Sequence, residues 1–181
     1  MFRIAVKQEI IKHGAYLVDN CNFGMRGVDD GSKDEQRVGI ISQCAIMDLM
    51  GYELPELSFQ PDNGVDIIYS GIKIDIKTIA SKYYPTPDSP ANIMAKQKHY
   101  NTDIYIFSYA NRNDKMLTIT GWMDKKEFFS KAKFRKTGDV IHSKLTLRSD
   151  DYSLDCAELN QVDSLNDLIW GLDEYCGKET F

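Results

Sequence analysis

Residues 65–78 read VDIIYSGIKIDIKT and carry the strongest structural signal in the chain. Two isoleucine-rich runs flank Ser70-Gly71, a dipeptide typical of tight turns. The pattern predicts a β-hairpin in which Tyr69 pairs with Ile72. Along the second strand isoleucine alternates with charged residues, so the two faces of that strand differ in character. One face is expected to carry Ile72, Ile74 and Ile76, and the other Lys73, Asp75 and Lys77.

Two acidic residues are expected to meet across this hairpin. Counting outward from the turn pairs Asp66 with Asp75, and directly opposed side chains share one face with Cβ atoms roughly 4.5–5.5 Å apart. Like charges at this distance destabilise a sheet, whereas a Mg²⁺ ion held by one or two carboxylates compensates them. Such an ion can polarise a phosphodiester and activate water. Lys77, two residues further on that face, can orient the water or stabilise charge in the transition state.

A purely structural interpretation of these residues also stays open. Asp66 and Asp75 could each form ordinary ion pairs on a solvated sheet face, with Lys73 and Lys77 as partners. An acid-x-lysine triplet is common in any sequence, so the spacing alone does not separate the two interpretations.

A resemblance to a known family rests on the same residues. Gly64-Val65-Asp66, followed after eight residues by Asp75-Ile76-Lys77, resembles the signature of the PD-(D/E)XK nuclease superfamily. Val65 stands at the proline position of that signature. The similarity covers about residues 34–129, and residues 120–123 resemble a segment of phage and restriction-type members. The resemblance implies a restriction-endonuclease-like α/β fold, with a mixed central β-sheet flanked by helices.

The resemblance further implies an activity, a cofactor and a set of residues. The implied reaction is hydrolysis of phosphodiester bonds in DNA by an endonuclease that requires Mg²⁺, for which Mn²⁺ substitutes. The implied metal ligands are Asp66, Asp75, the carbonyl of Ile76 and Glu35, and Lys77 is the implied catalytic lysine. Family members frequently act as homodimers. Two alternatives remain: a catalytically silent member of the fold that binds nucleic acid or protein, and a nuclease directed at RNA.

The helix that carries Glu35 has clear predicted boundaries. Ser32, with Glu35 three residues later, matches a capping box, and apolar residues follow at helical spacing as far as Gly51, a typical stop. Glu35 therefore has a second interpretation, in which it binds the backbone of Ser32 rather than a metal. Glu9 is a competing acid on a helix.

The remaining predicted elements mix helix and strand. Ser89 and Pro90 suit the N-cap and first position of a helix over about residues 91–100. Residues 2–18 are ambiguous, with a short helix at residues 9–12, and residues 20–32 are predicted to form a loop. Strands are predicted at residues 103–109, 116–122 and 144–147, and helices at residues 125–132 and 165–172.

Polar and basic residues after the hairpin are candidates for contact with nucleic acid. Gln97 and Tyr100 resemble substrate-contacting residues of some family members. Residues 111–148 hold ten Lys and Arg against four Asp and Glu, although the whole chain has a net charge of −5. Lys125, Lys126 and Lys131 lie in this region and are predicted to contact phosphates, with a solvated surface as the alternative.

Composition limits the class of protein. With 181 residues, 43% of them hydrophobic, the chain is expected to form one domain over residues 1–181, with an acidic C-terminal extension from about residue 149. The resemblance implies that this is a single nuclease domain. No apolar run reaches the roughly 20 residues of a membrane span. The charged N-terminus does not resemble a signal peptide, so no membrane contact and a cytoplasmic location are expected. The four cysteines form no close pair of the kind that binds structural zinc.

Overall fold

The computed structural model describes residues 1–21, 32–57, 64–141 and 145–179. Its helices and strands are mixed along the chain. In order they are β1 (Phe2–Ala5), α1 (Gln8–Asn20), α2 (Lys33–Leu49), β2 (Ile67–Tyr69), β3 (Ile72–Ser81), β4 (Pro90–Met94), a 3₁₀ helix (Ala95–His99), β5 (Ile104–Asn111), β6 (Met116–Asp124), α3 (Lys125–Lys131), β7 (Lys133–Arg135), β8 (Val140–Ile141), β9 (Leu145–Thr146), β10 (Asp151–Asp155), a 3₁₀ helix (Cys156–Glu158) and α4 (Leu165–Glu179).

Five strands form a mixed β-sheet in the order β1-β6-β5-β3-β2. Strand β3 runs parallel to β5, and the other neighbours are antiparallel. A second, antiparallel sheet has the order β4-β10-β7, and β8 pairs with β9. Parallel strands need a crossover, and here the chain leaves β3, passes through β4 in the second sheet and returns in β5.

Apolar side chains cover both faces of the five-stranded sheet. One face packs against helices α1, α2 and α4, in a cluster that includes Ile74, Ile76, Ile104, Ile106, Cys44 and Leu168. The other face packs against α3 and the three-stranded sheet, in a cluster that includes Tyr105, Phe107, Phe128, Ile93 and Leu154. Successive residues of β5 therefore belong to different clusters, as strand geometry requires. The fold is α/β, with a mixed sheet flanked by helices.

Local sequence signals predict several of these elements correctly. Helix α2 begins after Ser32 with a complete capping box and ends at Leu49, two residues before Gly51. The hairpin has the predicted register from the turn outward to Ile67 and Ile74. Strands β5 and β6 and helix α3 are also confirmed. The predicted loop at residues 20–32 and strand at residues 144–147 lie partly outside the described residues.

The predicted helix over residues 91–100 is wrong in its first half. Pro90–Met94 form strand β4, which pairs with β10, and only Ala95–His99 are helical. Ala91 and Ile93 are each 1% exposed while the residue between them is half-buried, which is the burial pattern of a strand. The pairing partner β10 is distant in sequence, and this tertiary contact overrides the local helix-start signal. Helices α1 and α4 are longer than predicted, and β7 and β10 were not predicted.

Candidate active site

The carboxylate of Asp66 lies against the backbone of β3, next to Asp75. The Ile76 N–H donates a 2.6 Å hydrogen bond to Asp66 Oδ2, and the Asp66 N–H donates a 2.9 Å bond to the Ile74 carbonyl. Because Ile76 N is bonded to the carbonyl carbon of residue 75, Asp66 Oδ2 lies within about 5 Å of the Asp75 Cα. Regular pairing of β2 with β3 ends at Ile67. The predicted pairing of Asp66 with Asp75 is therefore not part of the strand register, and Asp66 contacts β3 through its own N–H and through its carboxylate.

The carbonyl of Ile76 faces the same edge of β3. In a strand, the N–H and C=O of one residue point toward the same neighbouring strand, and those of the next residue point the opposite way. The Ile76 N–H points toward Asp66, so the Ile76 carbonyl also faces the edge along which β2 has ended. A carboxylate and a carbonyl oxygen therefore lie along one edge of the strand beside Asp75.

Asp75 and Lys77 form a largely buried ion pair. Lys77 Nζ lies 2.6 Å from Asp75 Oδ2, and the two side chains are 17% and 4% exposed. In the parallel pairing they lie opposite Tyr105 and Phe107 and share their face of the sheet, whereas Ile76 belongs to the other core. The predicted alternation along this strand is confirmed. At this burial the carboxylate depends on a positive charge, because little water reaches it.

A phenol that the sequence did not single out lies beside Asp75. Tyr105 is the register partner of Asp75 on β5 and is fully buried. Among the described residues its hydroxyl has no hydrogen-bond partner, although most buried hydroxyls have one. Burial, and then the charge of Asp75, raise the pKa of Tyr105, so the phenol remains a neutral donor. A tyrosine in a buried strand has the sequence signature of a core residue, and no local pattern would identify it.

Tyr100 and Lys125 border the ion pair. The Tyr100 ring centroid lies 6.0 Å from Lys77 Nζ, and the Tyr100 carbonyl accepts a hydrogen bond from Lys125 Nζ. The Tyr100 ring also packs against Gly64, which has a φ of +77° and where a Cβ would overlap the ring. Thr102 Oγ1 donates a hydrogen bond to the Gly64 carbonyl. These contacts position the segment that precedes the first acid of the site.

The other predicted substrate residues have different surroundings. Gln97 is buried. Lys126 lines an open cleft of about 420 Å³ together with Trp122. Lys131 forms an exposed 2.5 Å ion pair with Glu127. Of the five residues predicted to contact substrate, Tyr100 borders Lys77 directly, and Lys125 and the Gln97 carbonyl each hydrogen-bond to the backbone of Tyr100.

Glu35 is engaged at the start of α2. Its Oε2 accepts a 2.6 Å hydrogen bond from the Ser32 N–H and a 3.2 Å bond from the Ser32 hydroxyl. Within the described ranges, no three side chains of His, Cys, Asp or Glu form a group that could hold a metal ion. Metal ligation by Glu35 stays a prediction. Without it, the oxygen donors of the site are two carboxylates and one carbonyl, a set that suits Mg²⁺ because this ion usually keeps several waters and phosphate oxygens.

The charge of Asp66 also acts on helix α2. Cys44 is fully buried in the core between α2 and the sheet. Burial raises the pKa of its thiol to about 11, and the charge of Asp66 adds to this effect. The thiol therefore stays protonated at neutral pH and is a core group rather than a metal-binding thiolate.

Comparison of the chain with protein-family models, curated proteins and solved structures gives no match. The function is therefore inferred from the geometry of the site and the pattern of the sequence. In the described part of the chain, no helix combines the length and apolar character that crossing a membrane requires.

Proposed function

We propose that this protein is a Mg²⁺-dependent nuclease of the PD-(D/E)XK type, with a restriction-endonuclease-like core, that hydrolyses phosphodiester bonds in DNA as an endonuclease. One observation carries the proposal: the hydrogen bond from the Ile76 N–H to Asp66 brings a second carboxylate to the segment that holds Asp75 and Lys77. The order of elements supports it, since a capped helix precedes the hairpin and a strand parallel to β3 follows.

The donor set favours a hard divalent cation. Asp66, Asp75 and the carbonyl of Ile76 would hold the ion, and Mn²⁺ would substitute because carboxylate and carbonyl oxygens suit both metals. When bound, the ion supplies Lewis-acid chemistry that polarises the phosphoryl group and lowers the pKa of an attacking water. The Tyr105 hydroxyl supports the assignment, because a buried donor without a partner among the described residues can be satisfied by a water or an ion that the site would hold.

Lys77 has a role that follows from its contact with Asp75. With a divalent ion held at Asp75, the Lys77 ammonium group would no longer be needed to compensate this carboxylate and could orient water or stabilise charge on the phosphate. In the hydrolysis the water oxygen forms a new bond to phosphorus, one ester P–O bond breaks, and the departing oxygen takes up a proton. Tyr100, next to Lys77, would border the nucleic acid.

A cleavage assay with single-residue variants tests this proposal. Supercoiled plasmid, single-stranded circular DNA and RNA are incubated with the purified chain in Mg²⁺, in Mn²⁺ and in EDTA. We expect metal-dependent cleavage of DNA that Asp66→Asn and Asp75→Asn abolish. Lys77→Met should lower the rate by about 10²–10³-fold, the usual cost of removing one transition-state donor.

Asp88→Asn is the matched control, because Asp88 is an exposed acid on the loop between β3 and β4. This variant should cut as fast as the wild type. Cleavage that persists in Asp75→Asn with the same metal dependence would contradict the proposal. Cleavage of RNA but not of DNA would redirect the same site to an RNA substrate. No cleavage of any substrate would leave Asp75 and Lys77 as a structural ion pair in a silent member of the fold.

A further inference from the structure

A row of aromatic side chains leads from the candidate site to the surface. The Tyr105 ring lies 6.2 Å from Phe129, Phe129 lies 5.0 Å from Tyr152, and Tyr152 lies 5.1 Å from Phe134, measured between ring centroids. Phe134 belongs to the edge strand β7 and is 47% exposed. The row therefore begins at the register partner of Asp75 and ends in a ring that faces solvent.

A lysine lies over the middle of this row. Lys98 Nζ is 5.1 Å from the Phe129 ring centroid and 4.9 Å from that of Tyr152, and it donates a 3.5 Å hydrogen bond to the Tyr152 hydroxyl. Cation–π contacts of this kind hold an ammonium group in place while it remains accessible to solvent. The 3₁₀ helix that carries Lys98 ends one residue before Tyr100, so a single short segment borders both the row and the candidate site. We call Lys98, Phe129, Phe134 and Tyr152 the cation–aromatic surface.

The strand that presents Phe134 is held rigidly. The Arg135 guanidinium donates two hydrogen bonds to the buried Asp151 carboxylate, at 2.8 Å and 2.6 Å, and Asn92 adds a third at 3.3 Å. Two-pronged contacts between arginine and carboxylate fix geometry as well as charge. An exposed ring on such a strand loses little freedom when it binds a partner.

We propose that the cation–aromatic surface stacks the bases of single-stranded DNA beside the scissile phosphate, an inference that rests on the proposed nuclease function. Aromatic rings accept unpaired bases of any sequence, and lysines bind the adjoining backbone. Exposed Lys96 lies two residues before Lys98, and exposed Lys133 directly precedes Phe134, so both chain segments that build the surface carry further positive charge that suits a polyanion. A duplex keeps its base faces stacked inside the helix and offers none to Phe134. The substrate class is therefore a single strand, or a duplex with a single-stranded segment.

Fluorescence anisotropy of labelled oligonucleotides in EDTA tests the inference without cleavage. Three probes of equal length are compared: oligo(dT), an abasic strand with the same backbone, and a DNA duplex. Phe134→Ala should weaken binding of oligo(dT) by roughly 5- to 150-fold, the range found when a stacking ring is truncated. Binding of the abasic strand and of the duplex should change less than twofold. Lys98→Met should weaken binding of all three probes and reduce their salt dependence, because it removes a backbone contact.

Two further variants test whether the loss of binding is specific to the Phe134 ring. Phe134→Trp retains a stacking ring and should bind oligo(dT) as tightly as the wild type. Trp170→Ala removes an aromatic residue on α4 that is even more exposed than Phe134, and it should leave all binding unchanged. Binding of oligo(dT) that is unaffected by Phe134→Ala, or an equal loss on duplex and single strand, would overturn the inference. Tighter binding of a fourth probe, oligo(U) of the same length, than of oligo(dT) would overturn DNA as the occupant.

The outcome is distinguishable from the cleavage assay. Phe134-dependent binding by a chain that cuts nothing would support the surface and reject the nuclease proposal. Metal-dependent cutting of duplex DNA with no role for Phe134 would support the nuclease proposal and reject the stacking surface.

Discussion

Replacing Lys77 with methionine is expected to destabilise the metal-free protein and to make its stability depend on a divalent cation. Lys77 Nζ lies 2.6 Å from the carboxylate of Asp75, whose side chain is 4% exposed. Methionine keeps most of the volume of the lysine stem but leaves the buried carboxylate without its lysine. Breaking a buried pair in this way costs about 3–5 kcal/mol. For a domain of this size, that cost lowers Tm by about 6–20 °C.

Thermal denaturation followed by circular dichroism, in EDTA and in excess Mg²⁺, measures this effect. Mg²⁺ should raise the Tm of Lys77→Met more than that of the wild type, because the ion supplies the missing positive charge and binds only the folded state. The double variant Asp75→Leu/Lys77→Met is the control and should recover most of the loss in EDTA, since apolar replacement of a buried pair is often neutral. A Lys77→Met protein that melts within about 2 °C of the wild type in EDTA would refute the buried-pair reasoning. Equal Mg²⁺ shifts in both proteins would refute a metal ion at Asp75.

Three further changes have defined outcomes. Gly64→Ala should lower the free energy of unfolding by about 2–4 kcal/mol in urea denaturation and reduce cleavage, because residue 64 has a positive φ and the new Cβ would overlap Tyr100. Adding Tyr100→Ala to this variant should restore part of the stability. An unchanged urea midpoint in Gly64→Ala would contradict this packing. Between pH 9 and 11 the free energy of unfolding should fall by about 2–3 kcal/mol more in the wild type than in Cys44→Ala. The reason is that burial raises the pKa of the Cys44 thiol to about 11, so this thiol ionises at lower pH in the unfolded chain than in the folded one. Parallel pH profiles of the two proteins would exclude ionisation of Cys44 as the cause. Ser32→Ala should cost about 0.5–2 kcal/mol, measured by urea denaturation, because it removes the N-cap side chain of α2. Glu35→Gln keeps an acceptor for the Ser32 N–H and should leave the stability nearly unchanged, so loss of cleavage in this variant would assign the carboxylate to the metal.

Elements with local signals could be predicted, whereas those fixed by distant pairing could not. Helix α2 has its capping residue, its acid three positions later and its glycine stop within one short segment. The hairpin carries its turn and both strands in fourteen residues. Strand β4 has a helix-start signal at Ser89 and Pro90, yet it is a strand because β10, far along the chain, pairs with it. No periodicity within residues 90–100 contains that information.

The features of the candidate site also divide into those that a local sequence pattern predicts and those that it does not. The shared face of Asp75 and Lys77 follows from strand alternation, and the approach of Asp66 follows from the hairpin. The hydrogen bond that the Ile76 N–H donates to Asp66 lies outside the regular β2–β3 pairing and could not be counted from the register. The burial of Tyr105 and the contacts of the cation–aromatic surface join segments that are remote in sequence, so only the folded chain reveals them.

Binding of Mn²⁺, followed through the electron paramagnetic resonance signal of the free ion, measures most directly whether two carboxylates share one cation. The wild type should bind a single ion at this site. Asp66→Asn and Asp75→Asn should each abolish that binding. The affinity of the double variant for Mn²⁺ should be no lower than that of either single variant, and Asp88→Asn should bind the ion as the wild type does. Wild-type affinity in either single variant, or losses that add in the double variant, would mean that the two acids do not hold a common ion.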